Sequence, residues 1–476
     1  MKVETQTMSR RSFIRSLRRG LGSSIIELKK NSETEEYRNI VMRSCLKCIA
    51  YDTQIEGAKG FYLYTAIKTF ENQEEFLKSI IEKFQKRLHW QLSEQLYEII
   101  CCFANDRYVK AEEGLEKKYC KLKKYLPLIC DKDFNRFCER ELLEKLMVRK
   151  LVNGFDAFKQ CVYDMGQMII KRGGDDCLFY DFFMESAEDI FGKEIYVFLE
   201  DAESDPVGRF FQVFKKNSSE ENNGSSLKIV TVKDFYQRYK YSHDEVKEER
   251  VTIDHLINCA EEFSKEANSG YPMRMRKLSR QFAGQAMGEE FKELARVVIV
   301  HSSDFIKASL LIVFEFVDFP LNIDFLLPYL DSDNDNLREI TVKVLSRFKD
   351  KRLRLCAVQL FNDGQLENAI KLLGANFEIE DEAILRKYTL RSKRVTHGVI
   401  KSVTDIYREH KSNTCGDILL HLYKNAKCAH CRYRIVEMMI NNEVISENVL
   451  IECQYDSYED TRKLAVASLE NRTSDN

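Results

Sequence analysis

The densest polar and aromatic cluster in the chain is Tyr51-Asp52-Thr53-Gln54-Ile55-Glu56-Gly57-Ala58-Lys59-Gly60-Phe61-Tyr62-Leu63-Tyr64. If it forms a loop between helices, Asp52, Gln54, Glu56 and Lys59 converge beside two flexible glycines, as a binding loop requires. The same spacing also lets Gly57 or Gly60 end a helix, Asp52 cap the next turn and Tyr62 and Tyr64 enter the core. No nucleophile, base and orienting group occur together there, so recognition rather than catalysis is the chemistry to expect. Cys428-Ala429-His430-Cys431, with Cys415, His421 and Cys453 nearby in sequence, offers thiolates and imidazoles of the kinds that bind zinc. A closed zinc site needs four ligands, and the other CxxC, Cys45-Leu46-Lys47-Cys48, lies far away within a helical pattern. Buried, reduced cysteines are therefore expected, with no metal and no cofactor assigned.

Arg10, Arg11, Arg15, Arg18 and Arg19 could contact phosphates if they share one face, and Arg274, Arg276, Lys277 and Arg280 form a second basic set. Both sets also suit the solvated side of amphipathic helices, so nucleic acid enters only through local patches. The chain has no Walker-type phosphate loop, GxSxG elbow, HExxH pair or glycine-rich dinucleotide turn. The common catalytic designs are absent, and the reading leans away from an enzyme.

The elements that must position these residues are helices. Ile14, Leu17, Leu21, Ile25 and Leu28 recur at steps of three and four, which predicts one amphipathic helix with a basic back. The same spacing runs through 37–49, 61–70, 76–88, 92–103 and 119–128, whereas strict alternation is best at 227–232 and otherwise scarce. Hydrophobic residues form 44% of the 476, which excludes a wholly disordered chain, and only five prolines interrupt it. Lys plus Arg total 74 against 76 Asp plus Glu, a net charge of -2, so no global field draws the protein to nucleic acid or anionic lipid. No window approaches the ~18–20 uncharged apolar residues of a membrane span. Ser9-Arg10-Arg11-Ser12-Phe13-Ile14-Arg15 resembles a twin-arginine export motif, but charges interrupt every apolar stretch after it. A cytoplasmic, non-membrane protein is expected, and 15 cysteines scattered among helical patterns suit a reducing compartment.

Residues 215–226 contain no apolar side chain and cannot bury enough surface to offset their ordering entropy. This predicts a helical N-terminal domain over 8–200, a flexible linker over 201–230, a helical connector over 231–290 and a final helical array over 291–470. Asn268-Ser269-Gly270-Tyr271-Pro272 marks a weaker break.

Within the last part, Leu327-Pro328-Tyr329-Leu330-Asp331-Ser332-Asp333 leads into Leu337-Arg338 and then Thr341, Val344 and Leu345. A short acidic turn is followed by an apolar-Arg pair and an apolar stripe, with the acidic residues placed to cap the helix. Related pieces are Asp350 to Arg354 with Ala357 and Leu360, Asp381 to Arg386, and Asp456 to Arg462 with Ala465 and Leu469. Here the chain resembles HEAT-repeat proteins, particularly the short bacterial variety also seen in phycobilin lyases. The resemblance implies an all-α protein, a helical N-terminal region followed by a HEAT-like α-solenoid with an extended concave surface. It implies a non-catalytic interaction or scaffold protein that binds a macromolecular partner, most naturally another protein. Arg338, Arg354 and Arg462 are candidate contacts, although arginine at this position also stabilises its own repeat. Two other functions share the fold: nucleic-acid binding of the alkylation-repair HEAT type, and a tetrapyrrole lyase-like activity.

Overall fold

Gly20 sets the first boundary. It adopts a left-handed conformation (φ 78°), its N–H bonds Leu17 O and the Leu21 N–H bonds Ser16 O, both at 3.1 Å. This glycine cap divides the expected single helix into α1 (Arg10–Arg19) and α2 (Gly22–Asn31). The buried stripe accordingly starts with Phe13, while Ile14 is half-exposed; Leu17, Leu21, Ile25 and Leu28 are buried as the spacing predicts.

The computed structural model describes residues 8–31, 35–51, 53–125, 134–172, 181–202, 205–220, 250–265, 271–392 and 394–474, and every regular element among them is helical. The alternating stretch 227–232 lies outside the described residues. The chain divides into two units, residues 1–240 with 448–476 and residues 241–447, so the array expected over 291–470 is cut near 447. No described helix is long and apolar enough to cross a membrane.

In the first unit, α3 (Glu35–Cys45), α5 (Gly60–Ile67), α6 (Gln73–Phe84) and α7 (Trp90–Asn105) overlap the predicted runs, while α4 (Thr53–Glu56) falls in the segment read as a loop and α8 (Val109–Tyr125) begins well before the run at 119–128. Then come α9 (Phe134–Lys150), α10 (Phe155–Arg172), α11 (Asp181–Phe191), α12 (Glu194–Glu200) and α13 (Asp205–Glu220). Most of these helices pack on those one or two places along, such as α5 on α7 and α7 on α8 and α9, whereas α10 packs mainly on α13, three places along. Helix α13 enters the stretch expected as a flexible linker. Val207, Phe210, Phe211 and Val213 bury a face against α10 there, so helical order reaches Glu220; residues 221–230 lie outside the described residues.

The second unit holds α14 (Ile253–Lys265), α15 (Tyr271–Gln285), α16 (Gly288–Val300), α17 (Asp304–Leu311), α18 (Asp335–Leu345), α19 (Lys351–Asn362) and α20 (Leu366–Gly374). It continues through α21 (Glu382–Arg391), α22 (His397–Glu409), α23 (Gly416–Asn425) and α24 (Ala429–Asn441), and α25 (Glu447–Cys453) and α26 (Glu459–Ser474) complete the chain. Helices α18, α20, α22 and α24 form a row in which each packs on the next, and α21 packs on α23. Members of the row are separated in the chain by one intervening helix. The predicted stripe of α18 is buried at Leu337, Thr341, Val344 and Leu345. Its N-cap is Asn334, whose side-chain oxygen accepts from Leu337 N at 3.1 Å, rather than Asp331 or Asp333. Asp331 closes a short 3-10 turn, Leu327–Asp331, that ends before the cap.

Candidate functional site

An arginine recurs at the fourth position of several helices. Arg338 in α18 donates to Ser332 O and pairs with Asp335. Arg462 in α26 donates to Asp456 O at 2.8 Å and Ser457 O at 3.1 Å, and its guanidinium lies 4.5 Å from the Phe61 ring centroid. Both therefore hold the turn that precedes their own helix. Arg354 in α19 instead reaches across to Asp381 at 2.8 Å and to Glu378.

Arg354 also lines a groove of about 680 Å³ in the second unit. Ile370, Phe377 and Ile406 form its apolar floor, and Lys349, Lys351, Lys371 and Lys401 bring ammonium groups to it. Lys401 is held by Asp405 at 2.6 Å. Lys349, Lys351 and Lys371 form no ion pair among the described residues. Burial, with Lys343 nearby, holds the Lys371 ammonium below the usual lysine range. A carboxylate arriving in the groove would relieve that destabilised charge. Lys349, Lys351 and Lys371 were not singled out in the sequence, because isolated lysines on polar helix faces carry no motif.

The 51–64 segment has a different role. Lys59 is 1% exposed and Glu56 7%, and their charges sit 3.3 Å apart. The Lys59 ammonium donates to Arg18 O and Arg19 O at 3.3 and 3.4 Å, at the negative end of α1, and Glu56 accepts from Tyr51 N. Gly57 ends α4 at φ 69°, and Tyr62 and Tyr64 are buried, with Tyr62 donating to Leu21 O at 2.9 Å. Asp52 lies outside the described residues, and Gln54 sits within α4. The structure thus brings Glu56 and Lys59 together as an internal tie rather than displaying them on a surface.

Gly60 N donates to Glu98 at 2.9 Å, and Glu98 sits beside the Lys145–Glu94 ion pair. Desolvation pushes the Glu98 carboxyl up to about 7; the Gly60 bond opposes this, the Glu94 charge adds to it and Lys145 opposes it. The folded chain therefore holds a proton that the unfolded chain has released between about pH 4.5 and 7, and stability falls as pH rises through that window. A Glu98→Gln variant keeps the acceptor for Gly60 without the charge. In urea unfolding it is expected to match the wild type near pH 4.5 and to exceed it by about 1–3 kcal/mol at pH 7.5. A pH-independent difference would show that Glu98 does not carry the effect.

Cys428 and Cys431 are buried, and the imidazole of His397 stands 3.0 Å from Cys431 through Nδ1. The other candidates are occupied elsewhere: the Cys415 thiol donates to Ser412 O at 3.1 Å and His421 Nε2 meets Ser392 O at 3.1 Å. His397 precedes the cysteines by more than thirty residues, and only the row of helices brings it to them. The chain matches no known protein-family model, and a comparison with curated proteins finds no match.

Proposed function

We propose that the protein is a non-catalytic, cytoplasmic interaction protein, that α18 to α24 stack as a HEAT-like solenoid, and that its groove receives a carboxylate-rich segment of a protein partner. The single observation that carries this reading is the set of three ammonium groups, Lys349, Lys351 and Lys371, that line one groove and form no ion pair among the described residues, the nearby Glu315, Glu339 and Glu367 acting on Lys371 only at longer range. The neighbour-on-neighbour packing of the row supports the solenoid. An extended peptide suits a groove with an apolar floor and charged rims, since its backbone and alternate side chains meet both. The second basic set is engaged within the unit: Arg276 pairs with Glu315, and Arg274 and Arg280 lie over Phe263 and Phe316.

Short labelled peptides rich in glutamate, serine or lysine, titrated at low and high salt, test the reading. The glutamate-rich peptide is expected to bind best and to weaken with salt. A Lys349→Glu/Lys351→Glu/Lys371→Gln variant is expected to weaken it about tenfold or more. The variant should stay folded, because Lys351 opens α19, where an acidic side chain favours the helix dipole. Equal affinity for all three peptides, or tight binding of single-stranded nucleic acid in their place, would overturn the proposal.

A further inference from the structure

We infer that His397, Cys428 and Cys431 form a binding site for a thiophilic divalent cation of the zinc class, seated where the first turns of α22 and α24 meet. One donor atom from each residue lies within 4.8 Å of the other two, and the His397 Nδ1 to Cys431 Sγ separation is 3.0 Å. Zn–S bonds of about 2.3 Å and Zn–N bonds of about 2.0–2.1 Å place tetrahedral ligand atoms about 3.5–3.8 Å apart, so side-chain adjustments of a few tenths of an ångström suffice.

The helix row explains why these three residues meet. His397 is the first residue of α22 and is fixed by the Thr396 cap, which accepts from Val399 N at 3.2 Å. Cys428 is the N-cap of α24 and Cys431 lies three residues on, so one turn carries both sulfurs to the same side. Since α22 packs on α24, the imidazole faces the thiols. Binding one divalent cation displaces two thiol protons, leaving a neutral centre of two thiolates, one imidazole and the metal. Three protein ligands leave the fourth tetrahedral corner to water; the His430 ring stacks on Tyr433 at 6.4 Å and does not belong to the converging donors.

A CxxC at a helix N-terminus also suits dithiol exchange. That chemistry needs an exposed attacking sulfur, whereas Cys428 and Cys431 are 2% and 7% exposed. The metal instead ties two neighbouring members of the row at their entrances. This site differs from the cysteine pair weighed in the sequence, because its third ligand is His397 rather than Cys415, His421 or Cys453.

The full chain, reduced and stripped with a chelator, is titrated with Co²⁺ alone. One cobalt per chain with thiolate-to-cobalt absorption is expected, displaced by Zn²⁺, and Zn²⁺ should raise the Tm. Cys428→Ser should abolish the absorption, and His397→Gln should weaken cobalt by about 100-fold or more and remove the Zn²⁺ effect on Tm. His397 is half-exposed, so this second variant keeps the test readable if Cys428→Ser fails to fold. Cys48→Ser, which breaks the other CxxC, should change nothing. No thiolate-to-cobalt band in the reduced wild type, or a band that survives both substitutions, would overturn the site.

Discussion

Replacing Lys59 by methionine is expected to destabilise the protein by about 3–5 kcal/mol at neutral pH, read as a lower urea midpoint with little change in slope. The apolar stem is conserved and only the ammonium is lost. Buried Glu56 loses the ammonium 3.3 Å away, the C-terminal carbonyls of α1 lose the Lys59 donor, and Tyr51 N remains bonded to the carboxylate. The chain can escape by protonating a carboxyl, which sets a ceiling near 4 kcal/mol at pH 7 for the charge itself and lowers it steeply toward pH 5. The lost hydrogen bonds to Arg18 O and Arg19 O add about 1 kcal/mol that acid does not recover. The double variant Lys59→Met/Glu56→Gln removes the stranded charge and should regain about half of the loss, giving a coupling of roughly 2 kcal/mol in a double-mutant cycle. A single variant within about 1 kcal/mol of wild type would show that water reaches the pair and that the internal tie contributes little.

The same pair shows which parts of the fold can be read from the sequence. Its neighbourhood was visible as a polar and aromatic cluster, because residue types are local information. Whether Glu56 and Lys59 face solvent or each other depends on α1 closing over them, which residue spacing does not encode. Likewise the stripe of α18 is legible because steps of three and four fix one face, and Leu337, Thr341, Val344 and Leu345 are all buried. The break at Gly20 is less so: a glycine inside a periodic run is compatible with a continuous helix until its φ is known. Helix α13 was missed because its polar C-terminal residues hid the apolar face at Val207, Phe210, Phe211 and Val213. The groove lysines and His397 depend on which helices become neighbours two places along, and no single-helix pattern carries that.

Gly22→Ala is expected to cost about 3 kcal/mol, although alanine is the better helix former by about 1 kcal/mol and would stabilise an isolated α2. A Cβ at position 22 would stand 1.8 Å from Glu452 O and 2.8 Å from Glu452 C, with Tyr455 Cβ at 3.1 Å. The obstacle is backbone rather than the end of a flexible side chain, so no rotamer change relieves it and one segment must move by more than an ångström. That movement pulls on everything joining the two ends of the chain within the first unit. Ser23 N donates to the Glu452 carboxylate at 3.2 Å, Ser457 N to Gly20 O at 2.9 Å and the Lys29 ammonium to the Tyr455 hydroxyl at 2.6 Å, with its charge 3.9 Å from that ring. These contacts lie along one seam and share one geometry, so they weaken together and their losses exceed the gain in helix propensity. Proteolysis under native conditions separates this account from a general loss of stability. In the alanine variant, cleavage near residue 455 should accelerate at least tenfold while sites in α5 to α9 keep their protection. Uniform acceleration across the chain would place the damage in the core of the unit, and a variant as stable as wild type would mean that the two backbones do not meet at Gly22.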